Sequence, residues 1–202
     1  MAKIKHHKTE SSIHFFMIPL IIINVVVIIA GGFLTPLWAG FVEKIGGNII
    51  TAGNAICIFS IVIGLLTCVA AKIENDYHKD EFFLVFSQVF MAIGYLGYFW
   101  VHHPWQLYLV EIWLGLGGAI QAPALYSLYQ QYMPKDKGTL NWGIWNGFYN
   151  IAMGIGALIS AYIANYFGFT GVFFVLFLVA LLGVILSIIV AKKMKQFTSQ
   201  KA

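Results

Sequence analysis

Residues 170–191 read TGVFFVLFLVALLGVILSIIVA, twenty-two positions in which Thr170 and Ser187 are the polar side chains. As a helix rising about 1.5 Å per residue, this run reaches about 33 Å, enough to cross a hydrocarbon core about 30 Å thick. An amphipathic helix of a soluble protein would show a polar face at a period of 3.6, and this run has none. It is predicted to span a bilayer and to face lipid.

Five further apolar stretches precede it, at 13–39, 49–71, 82–101, 105–131 and 139–166. The breaks between them fall at 43–48, 72–81, 102–104 and 134–138, with a short turn around Gly168 before the last. Over the 202 residues, 60% are hydrophobic even before glycine is counted, and only 10% are charged. Soluble domains carry about 25% charged residues. With a mean hydropathy of +0.82, the chain has more apolar surface than a soluble fold of this size can bury. Strands of a membrane β-barrel would alternate over about 10 residues, and these runs do not. Two cysteines, Cys57 and Cys68, exclude a disulfide scaffold and are expected as small, buried, inert thiols within the second run. The basic start would suit a signal peptide, but the first run is about twice the length of a signal core. It is expected as a retained helix.

All twelve basic residues are lysines. No groove of basic and aromatic residues is visible, which excludes a nucleic-acid partner. If the N-terminus is cytoplasmic, eleven lysines fall on inner segments and Lys44 alone on an outer loop, a strong positive-inside bias. Both termini then lie inside, as an even number of spans requires. The expected architecture is an all-α polytopic membrane protein with six transmembrane helices, N-in and C-in. A tail at 1–12, a membrane domain at 13–191 and a tail at 192–202 make up the chain, and the lipid bilayer is its first partner.

The stretch 113–174, WLGLGGAIQAPALYSLYQQYMPKDKGTLNWGIWNGFYNIAMGIGALISAYIANYFGFTGVFF, resembles helices four to six of one half of a major facilitator superfamily transporter. A Gly-rich helix, a helix-breaking Pro, a short basic loop, a small-residue helix and a Gly-Phe turn follow one another in the family's order. The resemblance implies a half built from two inverted three-helix repeats, with helices one to six as the template. There are departures. Glu111 stands where the family has a basic residue four positions before the helix-four glycine, here Gly115. Helix five lacks the family's Pro, and the loop between helices two and three keeps only traces such as Asn75 and Lys79. A literal match to that loop motif at 39–46 falls on the outer side and is taken as coincidence.

Polar groups inside a membrane face a bundle interior or a cavity. Glu111, about 9 Å along its helix from Trp105, is the formally charged residue well within a span. It is a candidate for proton or cation coupling, or else a carboxylate reaching outward toward the headgroups or bonded to a neighbouring helix. Asn24 lies mid-span in helix one, which faces the central cavity in the resembled family. With Gln121, Tyr126, Asn146 and Asn150 it is a candidate to line a cavity for a small polar solute, the alternative being interhelical hydrogen bonding. Trp142, Trp145 and Tyr149 are read as an aromatic belt at the headgroups or as a stacking surface for the solute. Gly143, Gly147, Ala152, Gly156, Ser160 and Ala164 form a stripe of small residues suited to close helix packing.

No metal or cofactor is expected, since the adjacent His102 and His103 point apart. Nor is an enzyme, because the spans hold no nucleophile with a base and no carboxylate pair. The resemblance implies a half-size secondary transporter in the plasma membrane, paired with a second copy of itself or with a different six-helix half. The alternative is a non-transporting accessory or scaffold protein, or a degenerate remnant of the family.

Overall fold

The computed structural model describes residues 2–199, with side chains from 16 to 196 except at 135. Of the expected tails, residues 1 and 200–202 lie outside the described residues, and the remainder prolong helices. The chain is all-helical: α1 (Ala2–Leu34), a short α2 (Trp38–Lys44), α3 (Ile49–Tyr77), α4 (Asp80–Gly97) running into a 3-10 turn at Tyr98–Trp100, α5 (Pro104–Gln131), a 3-10 turn at Lys135–Lys137, and α6 (Gly138–Ser199). Among the described residues, five helices are long and apolar enough to cross a membrane. This is a multi-pass membrane protein.

The fifth of these is broken in its middle. Gly168 takes φ 67° and ψ −173°, a backbone conformation that costs a side-chain-bearing residue dearly and glycine little. Were α6 straight, Trp145 and Val190 would stand about 68 Å apart. Both belong to one packed cluster with Phe16, Leu20, Leu84, Leu128, Tyr129 and Met194, so the two arms fold back on each other at Gly168, the turn anticipated from sequence.

Local chemistry explains the other ends. Pro36 disfavours helix at Thr35, so α1 stops at Leu34, short of the predicted run to 39, and the chain restarts at Trp38. Asn48 caps α3 by accepting from the Thr51 amide at 3.0 Å, and Thr51 Oγ1 accepts from the Asn48 amide in return. The break expected at 72–81 is much shorter in the structure. Helix α3 continues to Tyr77 and ends at His78, in the left-handed region at φ 51°. Asp80 and Glu81 then open α4, where their charge suits the helix dipole. Pro104 occupies the first turn of α5, and Gln106 Oε1 accepts from the amides of His102 and His103 at 2.7 and 3.0 Å.

Helix α1 packs chiefly on α6, α3 on α5, and α4 on both α5 and α6, while α1 and α5 meet only sparingly. A second cluster, at the Gly168 end, joins Ala30, Phe33, Phe41, Val42, Tyr95, Tyr98, Leu107, Leu114, Val172 and Phe173. Two expectations change here. Cys57 and Cys68 are exposed: α3 touches the bundle along one side, and eleven residues, about three turns, put both thiols on its outer side. The second arm of α6 also does not simply face lipid. Val172, Phe173, Leu176, Ala180 and Ser187 are buried, whereas Phe174, Leu178, Leu182 and Ile185 are exposed.

Candidate functional site

Helices α4 and α5 pack side by side, and at their Gly168-side ends Tyr98, in the 3-10 turn after α4, donates its hydroxyl to Glu111 Oε1 at 2.6 Å. Glu111 is only 5% exposed. The Tyr98 ring has little freedom, being stacked on Phe173 at 5.2 Å and 12° and edge-on to Phe41 at 6.0 Å. A cavity of about 420 Å³ opens beside the carboxylate, within the range of small-molecule sites. Its wall draws on α1 at Gly31 and Leu34, on Thr35 and Trp38, on α3 at Ile56, Phe59 and Ser60, on α4 at Met91 and Tyr95, and on α5 at Leu114. Trp38 is tethered by its indole N–H, which donates to the Ala52 carbonyl at 3.3 Å. Among the described residues, no lysine, arginine or histidine contributes to this wall.

The other candidates stand apart from it. Asn24 (3% exposed) and Gln121 (7%) are buried, and among the described residues neither Asn24 Nδ2 nor Gln121 Nε2 has a hydrogen-bond partner. Gln88 in α4, which no motif singled out, is likewise buried, with its Nε2 unpartnered among the described residues. The buried serines behave differently: Ser87, Ser160 and Ser187 donate to carbonyls three residues back in their own helices, at 2.8–2.9 Å. Short hydroxyls can fold back in this way, and longer amides cannot do so as readily. Tyr126 is 48% exposed, and Asn146 and Asn150 are exposed as well. Their amides donate to the Trp142 and Asn146 carbonyls at 3.1 and 2.8 Å. Glu111 lines the cavity; Asn24, Gln121, Tyr126, Asn146 and Asn150 do not.

Trp145 is buried and Trp142 half-buried, so neither offers an open stacking surface. They pack on Tyr129, with centroids 5.3 and 4.3 Å away, and on Tyr126 at 6.1 and 6.0 Å. Tyr129 also donates to the Asn141 carbonyl at 2.8 Å, so this aromatic knot ties α5 to α6. Along the small-residue stripe, a Cβ added to Gly156 would lie 2.6 Å from the Ile29 carbonyl oxygen, while Ala152 and Ser160 are buried and Ala164 packs on the Gly168-side core. A Cβ added to Gly143 or Gly147 would meet no neighbouring element within 4 Å among the described residues.

At the opposite end of the bundle a polar pocket of about 550 Å³ is lined by His78, Asp80, Glu81, Ser127, Gln130, Gln131 and Tyr132. Ser127 donates to Asp80 Oδ2 there at 2.5 Å. Burial first, and the Glu81 carboxylate second, hold the Tyr132 phenol above its usual range.

Comparison with known proteins adds lineage to this geometry. A profile of the Major Facilitator Superfamily matches residues 20–201. An uncharacterized MFS-type transporter of Methanocaldococcus jannaschii is 23% identical over 170 residues, 84% of this chain and 43% of that protein. A glucose-6-phosphate exchanger of Bos taurus is 33% identical over 78 residues, 38% of this chain and 16% of that protein. The chain spans less than half the length of these curated relatives.

Proposed function

The chain belongs to the major facilitator superfamily, and on that premise we propose that it forms one six-helix half of a secondary transporter for a small polar solute. The two arms of α6 count as separate spans, giving six in a 3+3 inverted repeat, with both termini cytoplasmic and the protein in the plasma membrane. The pathway closes when a second copy, or a different six-helix half, meets the side of α5 and α6 that carries Tyr126, Asn146 and Asn150. Asn24 and Gln121 supply further polar lining, and Glu111 is the coupling carboxylate. The protein performs no chemistry on its solute.

The observation that carries this reading is the pair of buried amide nitrogens, on Asn24 and Gln121, without partners. Groups serving as interhelical glue would be paired, since a buried unpaired donor costs about 1–3 kcal/mol. A donor kept free is available to a solute or to water. The accessory or scaffold reading has one observation of its own: Asn146 and Asn150 already satisfy their amides on their own helix.

The native mass of the complex in a lipid nanodisc tests the proposal. A particle holding two copies of the 22.5 kDa chain, or one copy with a second six-helix protein, supports a paired transporter. A stable single chain with no such partner leaves the accessory reading in its place. The double substitution Asn146→Leu with Asn150→Leu separates the same readings: unchanged folded yield is expected if these amides belong to an open lining, and a clear loss of yield if they are packing groups.

A further inference from the structure

We propose that the cavity beside Glu111 binds a small organic cation, such as a quaternary or tertiary amine. The inference deepens the transporter reading and rests on it for the cation's passage across the membrane, though binding itself does not require a second half.

Three features of the cavity converge on this class of ligand. First, an ionised carboxylate accepts at about four lone-pair sites, and Tyr98 fills one of those on Glu111. Glu111 contributes to the cavity wall, and none of the described residues places a basic side chain there to neutralise it. A buried charge without a counter-ion is costly, and a cationic ligand removes that cost. Second, the surrounding wall is aromatic. Trp38, Phe59, Tyr95 and Tyr98 line the space, and the faces of such rings attract a cation most strongly where water is excluded. Third, other ligand classes fit poorly. A metal ion would need several oxygen, nitrogen or sulfur ligands, and the described residues hold no group of three or more His, Cys, Asp or Glu that could supply them. An anion would meet Glu111 with like charge. A sugar would need a ring of donors and acceptors, whereas beyond Glu111 and the tyrosines the wall offers chiefly the hydroxyls of Thr35 and Ser60.

The site is also prearranged. Phe41 and Phe173 fix Tyr98, the Ala52 carbonyl fixes Trp38, and Gly31, Thr35, Ile56 and Ser60 at the margin are exposed, leaving an entrance between α1 and α3. A ligand entering there would find its charge partner already oriented, which lowers the ordering cost of binding.

Equilibrium binding of radiolabelled tetraethylammonium to the purified full chain in nanodiscs tests the proposal. Saturable binding is expected, weakened about tenfold or more by Glu111→Gln and about threefold or more by Trp38→Leu, and unchanged by Cys68→Ser on the outer side of α3. Absence of saturable binding to the unsubstituted protein overturns the proposal, as does equal affinity in Glu111→Gln. If Glu111→Gln does not fold, Trp38→Leu and Phe59→Leu decide: retained affinity in both overturns it, and a shared loss supports it. A chain that binds tetraethylammonium yet stays single in the nanodisc keeps the site and loses the paired-transporter reading. A paired particle that binds none loses only the site.

Discussion

Tyr98 and Glu111 are thirteen residues apart, and their hydrogen bond depends on the chain turning at His102–Pro104 so that the end of α4 faces the start of α5. Glu111 was legible in the sequence because a lone carboxylate inside an apolar run stands out. Tyr98 was not: it sits in an aromatic stretch, Tyr95 to Trp100, that reads like any membrane-interface segment. Removing its hydroxyl leaves a buried carboxylate short of a donor. Tyr98→Phe is therefore expected to cost about 1.5–3 kcal/mol, read as a lowered thermal midpoint in detergent, and an unchanged midpoint would show that the bond is not stabilising. Asn24 and Gln121 were legible as polar residues within apolar runs. That both are buried with an amide nitrogen unpartnered was not, because pairing is decided by helix rotation, and an apolar sequence does not encode which side turns inward.

Among the elements, the apolar runs located the helices well and their ends less well. Pro36 cut the first run short, and α3 ran past its last apolar residue because Lys72, Asn75 and Asp76 can extend from a helix end into water as readily as from a loop. The small-residue stripe behaves as two parts. Gly156 sits against the α1 backbone, and Gly32 of α1 faces it in kind, since a Cβ there would come within 2.5 Å of the Met153 carbonyl oxygen. Gly156→Val should force α1 and α6 apart and cost about 1–3 kcal/mol, seen as reduced folded yield. Gly143→Ala and Gly147→Ala meet open space and should stay within about 0.5 kcal/mol of the parent. Equal losses at all three would place the close approach elsewhere. Spacing alone could not separate the two parts, because a repeat of four recurs along a helix regardless of what lies opposite.

For the whole molecule, the distribution of lysines carries the orientation, and it can be tested without knowing the solute. In a background with Cys57→Ser and Cys68→Ser, Lys44→Cys should react with a membrane-impermeant maleimide on intact cells, and Lys137→Cys only after permeabilisation. The reverse pattern would invert the topology. Membrane class, all-helical architecture and family were readable from the chain, because hydropathy and the order of motifs are properties of whole segments. The cavity beside Glu111 was not, since it assembles from five separate segments and no stretch of sequence contains more than a few of its walls.

The break at Gly168 bears on how the protein is made. From Gly138 to Ala191 there is no Asp, Glu, Lys, Arg or His, and the one interruption of helix is a single glycine. A translocon receiving this segment meets no charged loop at which to release the first arm before the second arrives. The two arms should therefore partition into lipid together as a helical hairpin, and the cluster from Lys192 to Lys195 would fix the pair only after both arms have been made. Lengthening the Gly168 turn with a charged linker would be expected to turn that joint insertion into two sequential steps, visible as a halted intermediate in cell-free translation with microsomes.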